Sequence, residues 1–270
     1  MRRHVRQLLE RHAPGLLEPI RAIRNRQYFH RQFSSLQAEV RENLFPGTVP
    51  ITIQKGPFHG MRYFDEPVWG SITPKWLGSY EAELHGVIAE VHSIPYDTII
   101  DIGSAEGYYA VGLALLHQRA RILAFDTDFI SRGQTRRLGL LNGVEQRLQL
   151  GARCRHEDIN RLSSGRTLVV CDIEGGEADL LNPTLAPALL QSDILVEVHE
   201  DDETSRSVES LLVDRFQDSH RLIRIAAESR LAWMQLQAGD LEKRLGRTLL
   251  LSAMDERRSK GIVWFWMRCP

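Results

Sequence analysis

The sequence has no run of about 18 apolar residues, so no membrane-spanning helix is expected. It has three cysteines, Cys154, Cys171 and Cys269, and no C-x-x-C spacing. An odd count without a pairing pattern suits a reducing compartment, and Cys171, inside an apolar run, reads as a core residue. Net charge is also nearly absent: 34 Lys and Arg stand against 35 Asp and Glu, a formal −1. That balance gives no general pull toward nucleic acid or anionic lipid. The opening Met1-Arg-Arg-His-Val-Arg-Gln-Leu-Leu-Glu10 is positively charged but has no apolar stretch, so it is not expected to act as a secretory signal. No internal repeat and no low-complexity tract is found. Together these absences point to a cytoplasmic protein without membrane contact.

What is present is ordinary globular material, 43% hydrophobic and 26% charged over 270 residues. That length allows one sizeable core with additions, or two small domains. Residues 1–45 read as helical with a break at Pro14-Gly15. Leu36, Val40 and Leu44 form one apolar stripe. Nine Arg and three Glu in the first 41 residues make this arm locally basic. It reads either as an arm that packs on its own domain or on a second copy of the chain, or as an RNA-binding or organelle-targeting segment, and the sequence does not decide between them. Pro50–Gln54 and Gly60–Phe64 flank a long turn and predict a hairpin. Residues 65–78 read as a loop packing through Trp69 and Trp76. Ser79 is expected to cap a helix through about Val91, with Ala82 and Glu83 in its first turn.

From residue 98 onward strands and helices alternate. Strands are predicted at 98–102, 121–125, 146–150, 167–171 and 193–198. Helices are predicted at 107–118, at 129–141 (stopped by Asn142-Gly143), from Glu177 to the break at Pro183, and at 204–217. Such alternation argues for a parallel, doubly wound sheet. Two further strands, 221–225 and 261–267, flank a helical segment at 238–245 and break the repeat, which suggests an antiparallel excursion at the sheet's edge. Trp264 and Trp266 share one face of the last strand, as core packing would have it. The expected division is a helical arm with a hairpin over 1–75 and a cofactor-binding α/β domain over 76–270.

The richest stretch is Thr98-Ile-Ile-Asp-Ile-Gly-Ser-Ala-Glu-Gly-Tyr-Tyr-Ala110. A strand runs into Asp101, two glycines four apart follow, and a helix opens. In open α/β sheets the crevice at that end holds a ligand, and glycines let backbone approach it. Asp126, some 20 residues on at the next strand end, has the spacing of an acid that accepts hydrogen bonds from ribose. The dinucleotide fingerprint G-x-G-x-x-G is incomplete, since Ala105 and Tyr108 hold the second and third positions; this counts against a nicotinamide-dependent oxidoreductase. Glu106 in the turn would repel a diphosphate but tolerate a cofactor bearing a sulfonium and an ammonium group, as S-adenosylmethionine (SAM) does.

The turn Asp101-Ile-Gly-Ser-Ala-Glu-Gly-Tyr-Tyr109 and the later Cys171-Asp-Ile-Glu-Gly-Gly-Glu177 resemble the motifs of class I SAM-dependent methyltransferases, in particular the FkbM-type branch. The resemblance spans residues 76–200. It implies a seven-stranded Rossmann-like sheet whose last strand is antiparallel. It implies Asp101, Gly103 and Gly107 along the methionine side of SAM and Asp126 on the ribose. Ser104, Glu106, Tyr108, Asp172 and Glu81, the last on a helix used by such enzymes as a lid, complete the expected cofactor set. Asp158 stands near the place of an adenine-holding acid but has no secure alignment to it.

Methyl transfer to a hydroxyl needs alignment and removal of a proton. The expected catalytic residues are Asp172, Glu174 and His199, at the ends of neighbouring strands. Either His199 acts as base, or Asp172 with Glu197 and His199 holds a divalent ion such as Mg²⁺. Glu177 and Glu200 to Glu203 read as helix-starting acids. The expected activity is O-methylation of a small-molecule or glycan-like acceptor. Rival readings are an RNA-directed methyltransferase using the basic arm, disfavoured by the lack of an Asp/Asn-Pro-Pro-aromatic motif, and a SAM-binding protein without catalysis.

Overall fold

The computed structural model describes residues 34–65, 70–199, 207–258 and 262–270. Its centre is a seven-stranded sheet. Its strands are β3 (Thr98–Ile102), β4 (Arg121–Phe125), β5 (Leu148–Gly151), β6 (Thr167–Cys171), β7 (Ser192–Val198), β8 (Arg221–Ala226) and β9 (Val263–Arg268). They lie in the order β5-β4-β3-β6-β7-β9-β8. The first five in the chain pair in parallel, and β9 is antiparallel to both β7 and β8. This is the doubly wound class that the alternation predicts, with the antiparallel last strand that the resemblance implies.

Side-chain pattern explains the order. Strands β3, β4, β6 and β7 bury both faces, as parallel strands between helices must, whereas β5, at the sheet edge, is half-buried to exposed. Ile99, Leu168, Leu195, Trp264 and Trp266 join one core cluster. Their strand neighbours Ile100, Val169, Ile194, Phe265 and Met267 join the other. The period of two thus divides the core into a layer on each face. β9 is buried through its first five residues, whereas β8 alternates exposed and half-buried positions. The more apolar strand therefore lies inside, and the more polar β8 forms the edge. The excursion places β9 one strand in from the edge rather than at it.

The helix 34–44 and a hairpin of β1 (Ile51–Thr52) and β2 (Arg62–Tyr63) precede the sheet. Val40, Leu44, Ile51, Ile53, Phe58 and Tyr63 share the first core cluster with Trp76 and Tyr108. Trp76 is fully buried and donates its indole N–H to the Phe64 carbonyl at 2.7 Å. It sits in a short helix, Thr73–Leu77, where sequence pattern suggests a loop, because Pro74 occupies an early helical position that needs no N–H. Residues 1–33, Trp69 and residues 200–206, including the expected acids Glu200 to Glu203, lie outside the described residues.

Three local expectations change. Ser79 does not cap the helix before β3. Gly78, in the left-handed region, caps the preceding helix, and the chain re-enters helix through a 3₁₀ turn at Ala82–Leu84 before His85–Ser93. β5 starts at Leu148 because Glu145–Arg147 forms a 3₁₀ turn. Between β8 and β9 the expected helix is Asp240–Leu245, with further helical turns at Arg230–Trp233 and Arg247–Ala253.

Candidate active site

Strand order reverses at β3, which has β4 on one side and β6 on the other. A crevice outside the carboxyl ends of strands is expected at such a switch point. Asp101 and Asp172, together with Asp126, belong to those ends. The turn after β3 is tied to β4, for the amides of Gly103 and Ser104 both donate to the Phe125 carbonyl, at 2.8 and 3.0 Å. Gly103 has φ +86°, and a Cβ there would run into the Asp172 backbone carbonyl. Gly107, at φ +93°, leads into the helix Tyr108–Leu116 and lies against Thr135. Only glycine combines this conformation with this approach.

Asp126 holds the turn from the other side. Its Oδ2 accepts from the Ala105 amide and its Oδ1 from the Asp128 amide, each at 2.8 Å. Burial outweighs these bonds and pushes its pKa up to about 6. Asp101 is 2% exposed, and its Oδ2 has no hydrogen-bond partner among the described residues. Burial, then the nearby Asp172 and Asp126 charges, push its pKa up to about 8. Ser104 Oγ is also buried without a partner. A buried carboxylate oxygen left unmatched is costly unless a ligand meets it. The chemistry it asks for is a cation or a hydrogen-bond donor.

The remaining turn residues pack toward the hairpin, although Glu106 Oε2 and Tyr108 Oη are buried without a hydrogen-bond partner among the described residues. Glu106 is 2% exposed and forms an ion pair with the buried Lys75; Tyr63 Oη donates to the same oxygen at 2.7 Å. Glu106 thus ties the turn to the hairpin and to the helix Thr73–Leu77. Tyr108 packs edge-on against Phe58, Tyr63, Tyr80 and Tyr109. The signal in sequence was Lys75, a lone charge between Pro74 and Trp76.

Glu81 sits at φ +47° just before the 3₁₀ turn Ala82–Leu84 and is 1% exposed. Tyr109 Oη donates to its Oε2, and its amide donates to Glu256 Oε1 at 3.1 Å. Burial raises the Glu81 pKa against the opposing Arg258 charge. Burial, with Glu81 and Glu83 close by, pushes Glu256 up to about 8. Arg258 is the counter-charge, bonding Glu83 Oε1 at 2.8 Å and Glu197 Oε1, with Glu81 at 3.7 Å. Arg258 and Glu256, in the polar segment before β9, carry no sequence signal that would place them here.

His199, just beyond β7, gathers the second motif. Its Nδ1 lies 3.0 Å from Glu177 Oε1. Its Nε2 lies 3.4 Å from Glu174 Oε2, 3.8 Å from Glu197 Oε2 and 4.0 Å from Asp172 Oδ1. Asp172 Oδ1 is buried without a hydrogen-bond partner. Burial, then the Glu174 charge, raises the Asp172 pKa. Asp172, Glu174 and His199 therefore come together. Their facing atoms lie within 4.8 Å of one another, close enough to share an ion. Glu197, of the expected ion-binding set, instead gives one oxygen to Arg258, whose guanidinium brings the counter-charge an ion would bring. Glu174 is 85% exposed at its side chain. The group is accordingly a histidine ringed by acids. Asp158 stays outside, bonded to the Arg155 amide and to Arg161 in a helix cap.

No family model and no curated protein matches the sequence. The chain is similar to several solved structures. Fibrillarin in its complex with Nop5p gives a TM-score of 0.47 at 10% identity, over 81% of this chain and 92% of that one. An rRNA methylase from Streptococcus thermophilus gives 0.45 at 12% identity, over 69% and 96%. A ribosomal protein L11 methylase from Lactobacillus delbrueckii subsp. bulgaricus gives 0.43 at 12%, over 71% and 80%. No helix among the described residues is long and apolar enough to cross a membrane.

Proposed function

We propose that the chain is a SAM-dependent methyltransferase that acts on an oxygen of an uncharged, hydroxyl-bearing small molecule or glycan-like acceptor. The observation that carries this reading is the unpartnered, buried Oδ2 of Asp101 at the switch point of the sheet. It lies at the foot of a turn whose glycine leaves no room for a side chain. A cationic adenosyl donor suits both features. Asp101 would take its ammonium group and Asp126 its ribose hydroxyls, with Gly103 and Gly107 giving backbone access; Glu81 and Ser104 complete the cradle. The segments that carry Asp101 and Asp172 are those that resemble the FkbM-type branch.

SAM when bound supplies an activated methyl group, and the protein's part is alignment and proton removal. His199 Nε2 is the group placed to accept the proton of an acceptor hydroxyl. Asp172 and Glu174 beside it can take hydrogen bonds from further hydroxyls of the acceptor. A rim carrying Asp172 and Glu174 repels polyanions, which favours neutral acceptors over RNA.

The test is transfer of a labelled methyl group from SAM to a panel of neutral sugars, polyols and phenols, with RNA as a parallel arm. The expected result is label on a hydroxyl acceptor. His199→Ala should lower the rate by about 10²–10⁴-fold at unchanged SAM affinity. SAM binding without transfer to any acceptor would make this a binding protein. Label on RNA, with affinity falling steeply as salt rises, would overturn the acceptor class.

A further inference from the structure

We infer that Glu177 is a positioning residue for His199: it holds Nδ1–H and so leaves Nε2 as the nitrogen that is unprotonated in the neutral ring, on the side of Asp172 and Glu174. The inference rests on the reading of His199 as the base. Sequence pattern gives Glu177 only the role of a helix-starting acid, and it does open the turn Glu177–Leu180. Its side chain, however, is fully buried, unusual for an acid that merely favours a helix dipole in water.

The geometry settles which partner donates. Glu177 Oε1 accepts from the amides of Ile173 at 3.3 Å and Gly175 at 3.1 Å as well as facing His199 Nδ1 at 3.0 Å. An oxygen that already accepts two N–H groups carries no proton of its own to give, so toward the ring it can only accept. Nδ1 must therefore carry the proton, and in the neutral ring Nε2 is then the acceptor. Burial pushes the Glu177 pKa up, but the bonds from His199 and Gly175 outweigh it and leave it below the usual carboxylate range. The same hydrogen bond, against burial, raises the pKa of His199.

The loop 172–176 adds a second consequence. Through Ile173 and Gly175, Glu177 fixes the loop that carries Asp172 and Glu174, so one buried carboxylate sets both the ring and two of the acids around it. Facing the ring are Asp172 at the end of β6, Glu174 in the loop, Glu177 on its helical turn and Glu197 on β7, with Arg258 reaching Glu197 from the segment before β9.

Nitrogen-15 NMR of the His199 ring, in the full chain, reads the assignment without reference to catalysis. In the wild type the ring should titrate above the ordinary histidine range and show Nδ1 protonated in its neutral form. Glu177→Gln keeps an acceptor oxygen for both amides but removes the charge. It should lower the His199 pKa by about one unit or more while preserving the tautomer. Glu177→Leu should lose the tautomer preference as well, and if it does not fold the Gln variant still decides. In the methyl-transfer assay, the acid limb of the rate profile should move to lower pH in Glu177→Gln, because the base is deprotonated earlier. A purely structural role would lower the rate at all pH values without moving that limb. An unchanged His199 titration in Glu177→Gln, or a neutral ring protonated at Nε2 in the wild type, overturns the inference. If the NMR result holds but no acceptor is methylated, the positioning stands and the transferase reading falls.

Discussion

Gly103 brings the end of β3 against the backbone of Asp172, so closely that any Cβ would meet the Asp172 carbonyl oxygen. That contact sets the spacing between the two motifs. It places Asp101, from the first, and Asp172, from the second, near enough for each to raise the other's cost of ionisation. Gly103→Ala should therefore act on the fold before it acts on any ligand. The combined strain and overlap should cost about 3 kcal/mol in urea unfolding, with aggregation or lost cooperativity as a consistent outcome. A Gly103→Ala protein of wild-type stability would show that the strand ends are not packed as described.

The pair Lys75–Glu106 should also be a matter of stability. Both residues are at most 4% exposed. Lys75→Met leaves Glu106 charged, buried and reliant on Tyr63, which should cost about 3–5 kcal/mol. The double variant Lys75→Met with Glu106→Gln should recover much of that loss, because no uncompensated charge remains. Chemical denaturation of both variants checks this. Additive losses would show that the two side chains do not act as a pair.

Cofactor binding should be linked to protons, and the sign follows from Asp101. With a pKa of about 8 in the ligand-free protein, it is mostly protonated at pH 7. A bound cation favours the carboxylate, so binding should release a proton, and affinity should rise between pH 6 and 8. The same raised pKa makes the ligand-free folded state bind more protons than the unfolded chain. Its stability should fall as pH rises through that window, with Glu256, also near 8, adding to the slope. Calorimetry in two buffers of different ionisation enthalpy measures the released proton. Proton uptake on binding would contradict the assignment.

Much of the fold is legible in the sequence because parallel strands buried on both faces write themselves as apolar runs. β3, β4 and β6 fall at the predicted residues. Asp101, Asp126, Asp172 and His199 could be placed because each closes a strand, where sequence position and spatial position coincide. Glu177, Arg258 and Glu256 could not. Glu177 begins a helix, for which its charge is already a sufficient reason. Arg258 and Glu256 reach the site from a polar segment some 60 residues past β7, and no local pattern reports such a contact. Glu106 shows the same limit. Its position in the turn suggests a cofactor contact, while one of its carboxylate oxygens is taken by Lys75 and Tyr63, from two elements that precede the sheet.

The central claim is that a buried, unpartnered carboxylate at the head of β3 is there to meet a cation. The most direct measurement is isothermal titration of SAM into the wild-type protein and into Asp101→Asn at pH 8, with the thermal stability of both recorded without ligand. SAM should bind the wild type, and the variant should lose at least about 30-fold in affinity. Freed of a buried unpaired charge, the ligand-free variant should gain about 1–3 kcal/mol in stability. Undiminished SAM affinity in a folded Asp101→Asn protein, or no SAM binding by the wild type, would contradict the account.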